Sequence, residues 1–285
     1  MKTTKPENLP NVFSDIPSLP VVASRMLQII ADENSSLQDL KRVISMDQSF
    51  SSRLLKVANS PYYRASNTIA DITDAITRIG FTTVQALVFA ISLKDLRRPL
   101  NKVDFELWEH SLAVSVASGL IARDTGLSSG EPFVYGLLHD IGKVIINLSM
   151  KKQFEEVIQM TAQQDIPFYE AERKVLGFDH GDMGKYVAEQ WRLPANLAFV
   201  IANHHEDDIL ECEESNDLKK KTLIVKAADA LCSSMDIGLT HSGELSDREW
   251  QFLKLTTAKK RDTLRAKIVE EYKSYRDFVM GPGTR

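Results

Sequence analysis

An all-α fold in two helical lobes is what this sequence predicts, and three observations predict it. Apolar residues recur at helical spacing along most of the chain. Alternating β-branched runs bounded by turns, the mark of strands, are scarce. Glycines and prolines cut the chain into helix-length pieces. A chain of 285 residues with a 43% hydrophobic share can bury a large core and has room for two lobes.

The elements follow in order. Residues 1–14 read as a flexible arm, because Pro6 and Pro10 discourage helix. Residues 21–31 start behind Pro20 and place Val22, Met26, Ile29 and Ile30 on one face. Ser36 caps the next helix, with Asp39 three residues on. Residues 49–58 repeat the pattern and stop at Asn59-Ser60-Pro61. A short helix over 72–79 closes at Gly80, a C-cap, and another opens at Thr82 or Thr83 and runs to about residue 96. Arg97-Arg98-Pro99 breaks the chain, so the first lobe spans 15–100 and the second 101–285. In the second lobe helices are expected over 105–124, 132–147, 151–164, 168–176, 180–191, 194–205 and 217–235, with two more between 246 and 275. The acidic stretch DDILECEESND over 207–217 reads as a surface loop.

Composition excludes several functions. The formal net charge is −4, which argues against broad binding to nucleic acid or anionic lipid. The basic clusters at Arg97-Arg98, Lys151-Lys152, Lys219–Lys221 and Lys259–Arg261 read as solvated helix faces. No stretch approaches the ~20 apolar residues of a membrane-spanning helix, and MKTTKPENLPNVF lacks the apolar run of a signal peptide. Two cysteines, Cys212 and Cys232, make no disulfide framework, and a reducing cytoplasm is the expected compartment. Trp108, Trp191 and Trp250 read as packing anchors.

The histidines carry the functional signal. His110, His139, His180, His204 and His205 fall in helical segments of the second lobe, whereas His241 sits in the loop THSGEL and reads as exposed. His110 lies in a polar gap of an apolar helix. His139-Asp140 interrupts the apolar run LLHDIGK. Asp229 sits mid-helix in KAADAL. Each is costly to bury alone, and a shared metal satisfies them together. Imidazole with carboxylate suits Fe, Mn, Zn or Co. Neighbouring residues on a helix point about 100° apart, so one member of His139-Asp140 can bind terminally while the other bridges. His204-His205 poses the same geometry. The donor count favours two ions over one.

The order His110, His139-Asp140, Asp229 resembles the signature of the HD superfamily of metal-dependent phosphohydrolases, and His180 with His204-His205 resembles the longer ligand set of HD-GYP phosphodiesterases. IPSLPVV, ISMDQSFSSRLLKVANSPYY and DAITRIGFTTVQALV in the first lobe resemble the HDOD family. So do EPFVYGLLHDIGKVI and FDHGDMGKYVAEQWRLPANLAFVIANHHE in the second.

The resemblance implies an HD-type helical bundle in the C-terminal lobe. It also implies a bacterial signal-transduction output module acting through protein partners in the cytoplasm. Carried over by position, His110, His139, Asp140 and Asp229 hold one divalent transition-metal ion (Fe, Mn or Zn). Asp140 bridges to a second ion held by His180, His204 and His205. Lys143 lies one turn on and contacts a phosphate, with Lys185 a further candidate. In the alternative implied role the chain hydrolyses a nucleotide or cyclic-dinucleotide phosphoester, with Asp140 and Lys143 as its catalytic residues. Two ions then supply an activated water and a clamp on a phosphoryl oxygen. HD-GYP enzymes continue after the His-His-Glu into a Gly-Tyr-Pro motif that this chain lacks, which weighs against cyclic-di-GMP in particular.

Overall fold

The structure is a computed structural model that describes residues 9, 20–31, 35–46, 48–59, 67–94, 101–239 and 243–280. Among these residues there are helices and no strand, so the predicted all-α class holds. Leu9 of the arm is helical and buried; the rest of the arm, Ser60 to Tyr63, the Arg97-Arg98-Pro99 break and His241 lie outside the described residues.

Residues 21–94 contain α1 (Val21–Ala31), α2 (Leu37–Ile44), α3 (Gln48–Ala58), α4 (Ile72–Ile79) and α5 (Phe81–Lys94). The Ser36 hydroxyl accepts the Asp39 N–H while the Asp39 carboxylate accepts the Ser36 N–H, so the expected capping box forms at α2. Gly80 ends α4 at φ 99°, where a side chain would be strained. Asn59 ties the end of α3 to the following segment: its amide donates to the carbonyls of Leu55 and Ile69, and its oxygen accepts the Ile69 N–H.

Beyond residue 100 the fold is built round α6 (Lys102–Asp124), which starts three residues before the expected 105 because Asn101 and Asp104 form a capping box. α6 is buried almost continuously from Leu107 to Ala122, as expected of a helix apolar on all sides. It packs against α7 (Gly130–Leu138), α13 (Asn216–Ser233) and α15 (Ala258–Met280). Between these run α8 (Ile141–Ser149), α9 (Lys151–Gln164), α10 (Phe168–Val175), α11 (His180–Gln190), α12 (Ala195–Asn203) and the short α14 (Asp247–Phe252). α8 packs on α11 and α11 on α12. The helices on either side of residue 100 share one core, because α5 lies against α7 and α15 touches α3 and α5 as well as α6.

Two expectations need correction. The single helix over 132–147 is two helices, and it breaks at His139-Asp140. Asp140 leaves helical geometry at φ −99°, ψ 15°, and its side chain turns to Lys143 instead of capping α8. The helix expected over 194–205 ends at Asn203, which leaves His204 and His205 in a turn. In both places a doublet of polar donors is released from the helix, so its two side chains are no longer fixed 100° apart.

The basic run Lys219–Lys221 is not simply a solvated face. Lys219 donates to the Leu210 carbonyl, Lys220 to the Thr125 carbonyl, and Lys221 pairs with Glu131 and Asp217. Lys151 and Lys152 are exposed, while Lys260 and Arg261 donate to backbone carbonyls of Lys254 and Leu255. Trp108 and Trp191 are buried, and Trp250 is partly buried under the Arg261 guanidinium. Cys232 is buried and Cys212 half-buried, both as free thiols.

Candidate metal centre

Five segments beyond residue 100 deliver the seven predicted donors to one place. His110 comes from the middle of α6, His139 and Asp140 from the α7–α8 break, and His180 from the first residue of α11. His204 and His205 come from the turn after α12, and Asp229 from α13. Two glycines permit the approach. A Cβ on Gly142 would lie 2.0 Å from the His180 carbonyl oxygen, so only glycine lets α8 meet the start of α11. Gly238, at φ 78°, has no room for a Cβ beside the Glu106 carbonyl. That tight turn brings the Ile237 carbonyl to 3.1 Å from His110 Nδ1.

The donor atoms fall into two groups, in each of which all ligand atoms lie within 4.8 Å of one another. One is His110, His139 and Asp229; the other is Asp140, His180, His204 and His205. Asp140 stands between them. Its Oδ1 is 3.3 Å from His180 Nε2 and 3.8 Å from His204 Nε2. Its Oδ2 is 3.4 Å from His139 Nε2 and 3.8 Å from His110 Nε2.

The outer nitrogens fix which way the rings face. His139 Nδ1 donates to the Gly136 carbonyl at 2.7 Å and His204 Nδ1 to the Ile201 carbonyl at 2.8 Å. His180 Nδ1 lies 2.5 Å from Glu172 Oε2, which also accepts the His180 backbone N–H at 2.8 Å. Carbonyl oxygens can only accept, and an oxygen that already takes one N–H is disposed to take another. The Nδ1 atoms of these three rings therefore carry their hydrogens, and their Nε2 lone pairs point inward. His180 Nε2 and His204 Nε2 sit 3.3 Å apart. His139 Nε2 and Asp140 Oδ1 are buried with no hydrogen-bond partner. Converging lone pairs in a closed space call for a cation between them, so the residues present fit a bound metal.

Charge states agree with that chemistry. Burial lowers the imidazoles: His139 falls to about 4, His204 is lowered, and His180 and His205 lie well below the ordinary value. Burial pushes Asp140 up, but His139, Lys143 and His180 together outweigh it and hold its carboxyl well below the usual range. Asp229 is lowered as well, burial being outweighed by its hydrogen bond with His110, 2.9 Å away. Burial works against the Lys143 ammonium and Asp140 outweighs it, so Lys143 is raised. Neutral imidazoles and ionised carboxylates are the forms that bind metals.

The predicted Lys143 is buried. Its Nζ donates to Asp140 Oδ2 at 2.8 Å and lies 5.0 Å from the centre of the Phe168 ring. Lys185 is exposed on α11. Several supporting residues were not singled out from the sequence. Glu172, fully buried, orients His180, and burial pushes its carboxyl well above the ordinary range. Tyr169 lies across His205 with ring centres 4.8 Å apart. Lys226 is buried under the His205 turn. It donates to the Glu206 carbonyl at 3.0 Å, to Asp207 at 3.2 Å and to Glu249 at 2.8 Å. Among the seven donors only His205 retains noticeable exposure, at 11% of its side chain.

No helix among the described residues is long and apolar enough to cross a membrane. Among known proteins, the chain is similar to an uncharacterized protein of Treponema pallidum, 24% identical over 195 residues. That match covers 68% of this chain and 38% of the relative, so the chain spans well under half of that relative's length. An HDOD domain protein of unknown function from Geobacter sulfurreducens has a similar fold, with a TM-score of 0.76 and 27% identity, covering 95% of this chain and 96% of the other. So does a provisionally named signal transduction protein from Marinobacter aquaeolei VT8, with a TM-score of 0.74 and 18% identity, covering 98% of this chain and 62% of the other. The family model described as HDOD domain matches residues 16–207, which takes in every candidate donor except Asp229. On that match the chain belongs to the HDOD domain family.

Proposed function

We propose that the chain is a signal-transduction output module organised round a two-ion metal centre and working through protein partners. The observation that carries this reading is the set of inward lone pairs on His139, His180 and His204, closed round Asp140. His110, His139, Asp140 and Asp229 would hold one ion. Asp140, His180, His204 and His205 would hold the other. Manganese, iron or zinc suits these donors. A bound pair of ions supplies positive charge and Lewis acidity at Asp140. The protein's own contribution is to hold the rings as Nδ1–H tautomers and to shield the donors from water. That shielding favours an ion held for shape and signalling. The fold shared with a protein provisionally named for signal transduction is in keeping with this role.

A second reading, hydrolysis of a nucleotide or cyclic-dinucleotide phosphoester, is favoured by Lys143. Its ammonium beside Asp140 would meet a phosphoryl oxygen, given a route past Tyr169 and His205. The test is elemental analysis of protein purified without chelators, wild type beside Asp140→Ala. About two transition-metal ions per chain, lost in the variant, are expected. An ion-free wild type after reloading with Mn, Fe or Zn would refute the centre. Turnover of a nucleotide phosphoester that Asp140→Ala abolishes would replace the first reading with the second.

A further inference from the structure

The helix α10 contributes nothing to the seven donors, yet one face of it touches the centre at each turn. Phe168 lies under the Lys143 ammonium and Tyr169 lies on His205. Glu172 accepts from both the ring and the backbone of His180. Arg173 pairs with Asp179, whose side chain caps α11 directly before His180. It also reaches Glu206, directly after His205, at 3.6 Å. Phe168 with Glu172 and Tyr169 with Arg173 are each four apart, so they form two adjacent rows on the helix. That face of α10 is therefore committed to His180, His205, Lys143 and their immediate neighbours. Its Arg173 and Lys174 are exposed, so the helix spans the distance from the centre to the surface.

Glu172 is the closest link. It is fully buried, it carries the hydrogen bond that turns His180 Nε2 inward, and its second oxygen has no partner. We infer that Glu172 is a positioning residue for His180, and that through it α10 registers whether the ion position at His180, His204 and His205 is filled. The inference rests on the two-ion reading given above. An ion on the far nitrogen of an imidazole makes its near N–H a stronger donor, and hydrogen bonds to charged groups are roughly twice as strong as neutral ones. A filled position thus tightens the hold on α10. An empty one leaves Glu172 facing a neutral imidazole, a weaker donor, and α10 is held less firmly. The surface of α10 changes its mobility with the state of a buried ion, which is what a partner protein could read.

Hydrogen exchange tests this on the full chain. Amide exchange over residues 166–178 is followed with the protein chelated and with it loaded with Mn, alongside metal content and manganese titration. The α15 amides serve as the internal reference. Loading is expected to slow the α10 amides about tenfold or more relative to α15. Glu172→Gln keeps the side-chain shape. It is expected to weaken one of the two ions by about 10- to 100-fold and to erase the metal response of α10. Glu170→Gln on the same helix is expected to do neither. Two ions bound with α10 exchange unchanged would overturn the inference and leave the two-ion reading standing, as would a Glu172→Gln protein with wild-type affinities and response. A wild type that takes up no ion overturns that reading and the inference with it. The wild-type comparison needs no variant, so poor folding of Glu172→Gln would not decide the matter.

Discussion

Replacing Gly142 by alanine puts a single methyl group into the contact that assembles the centre. The added Cβ would lie 2.0 Å from the His180 carbonyl oxygen, 2.8 Å from its carbon and 2.9 Å from the Gly184 nitrogen, all of them backbone atoms. Ordinary contact begins at 3.4 Å, so α8 and α11 must part by about 1.4 Å. Asp140 rides on the start of α8 and His180 on the start of α11, and their ligand atoms are 3.3 Å apart before the change. Ligand bonds to ions such as zinc are about 2.0–2.2 Å and tolerate about 0.2 Å, so a shift of this size would take His180 out of reach of an ion that it shared with Asp140. Overpacking of this kind costs about 1–3 kcal/mol, while alanine regains about 1 kcal/mol of helix propensity over glycine. A net loss of about 0–2 kcal/mol is expected, with a disproportionate loss of metal. Urea denaturation and elemental analysis on the same preparation separate the two effects. An alanine variant that keeps wild-type metal content and affinity would refute the claim that this close approach positions His180.

Three other outcomes are expected. Asp140→Ala should lose both ions, because its carboxylate faces both donor groups; retention of one ion would show that it does not bridge. Lys226→Met should cost about 3 kcal/mol or more in urea denaturation, since it leaves the buried Glu249 carboxylate without its cation; a loss under about 1 kcal/mol would mean the Lys226 contacts are incidental. Chelated protein should lose stability as pH falls from 6.5 towards 4. There the unfolded chain binds protons on histidines that the folded chain keeps neutral, His139 down to about 4. Each such histidine gives about 1.4 kcal/mol per pH unit, so His139 alone gives roughly 3 kcal/mol over that window. Glu172, raised in the folded state, acts with the opposite sign above the ordinary carboxylate range and offsets part of this. Urea midpoints that stay flat or rise between pH 7 and 5 would contradict the assignment of buried, neutral imidazoles.

What could be read from the sequence depended on whether the signal was local. Helix caps are local, so Ser36, Gly80, Gly126 and Gly177 mark ends that the structure has. Asp229 stood out because a lone acid among alanines and leucines has no local reason to be there. The break at His139-Asp140 was hidden because apolar residues keep helical spacing across it, and the nearest glycine, Gly142, lies inside α8 and serves the contact with α11. Glu172 was hidden by its company: Glu170, Arg173 and Lys174 around it look like the wet side of an amphipathic helix. Only tertiary packing on His180 tells them apart. Lys226 had the same context as Asp229, a charge in a run of small apolar residues, and the same question asked of it would have found it.

The last long helix lies against α3 and α5 as well as α6. On the ribosome, α5 ends at Lys94 while α15 begins at Ala258. At about 5–20 residues per second, roughly ten to thirty seconds separate their synthesis. The nascent α3 and α5 must wait through that interval with the apolar sides that α15 will cover still open to solvent. Nascent chains stalled ahead of residue 258 should therefore be more prone to chaperone capture and proteolysis than those released after it.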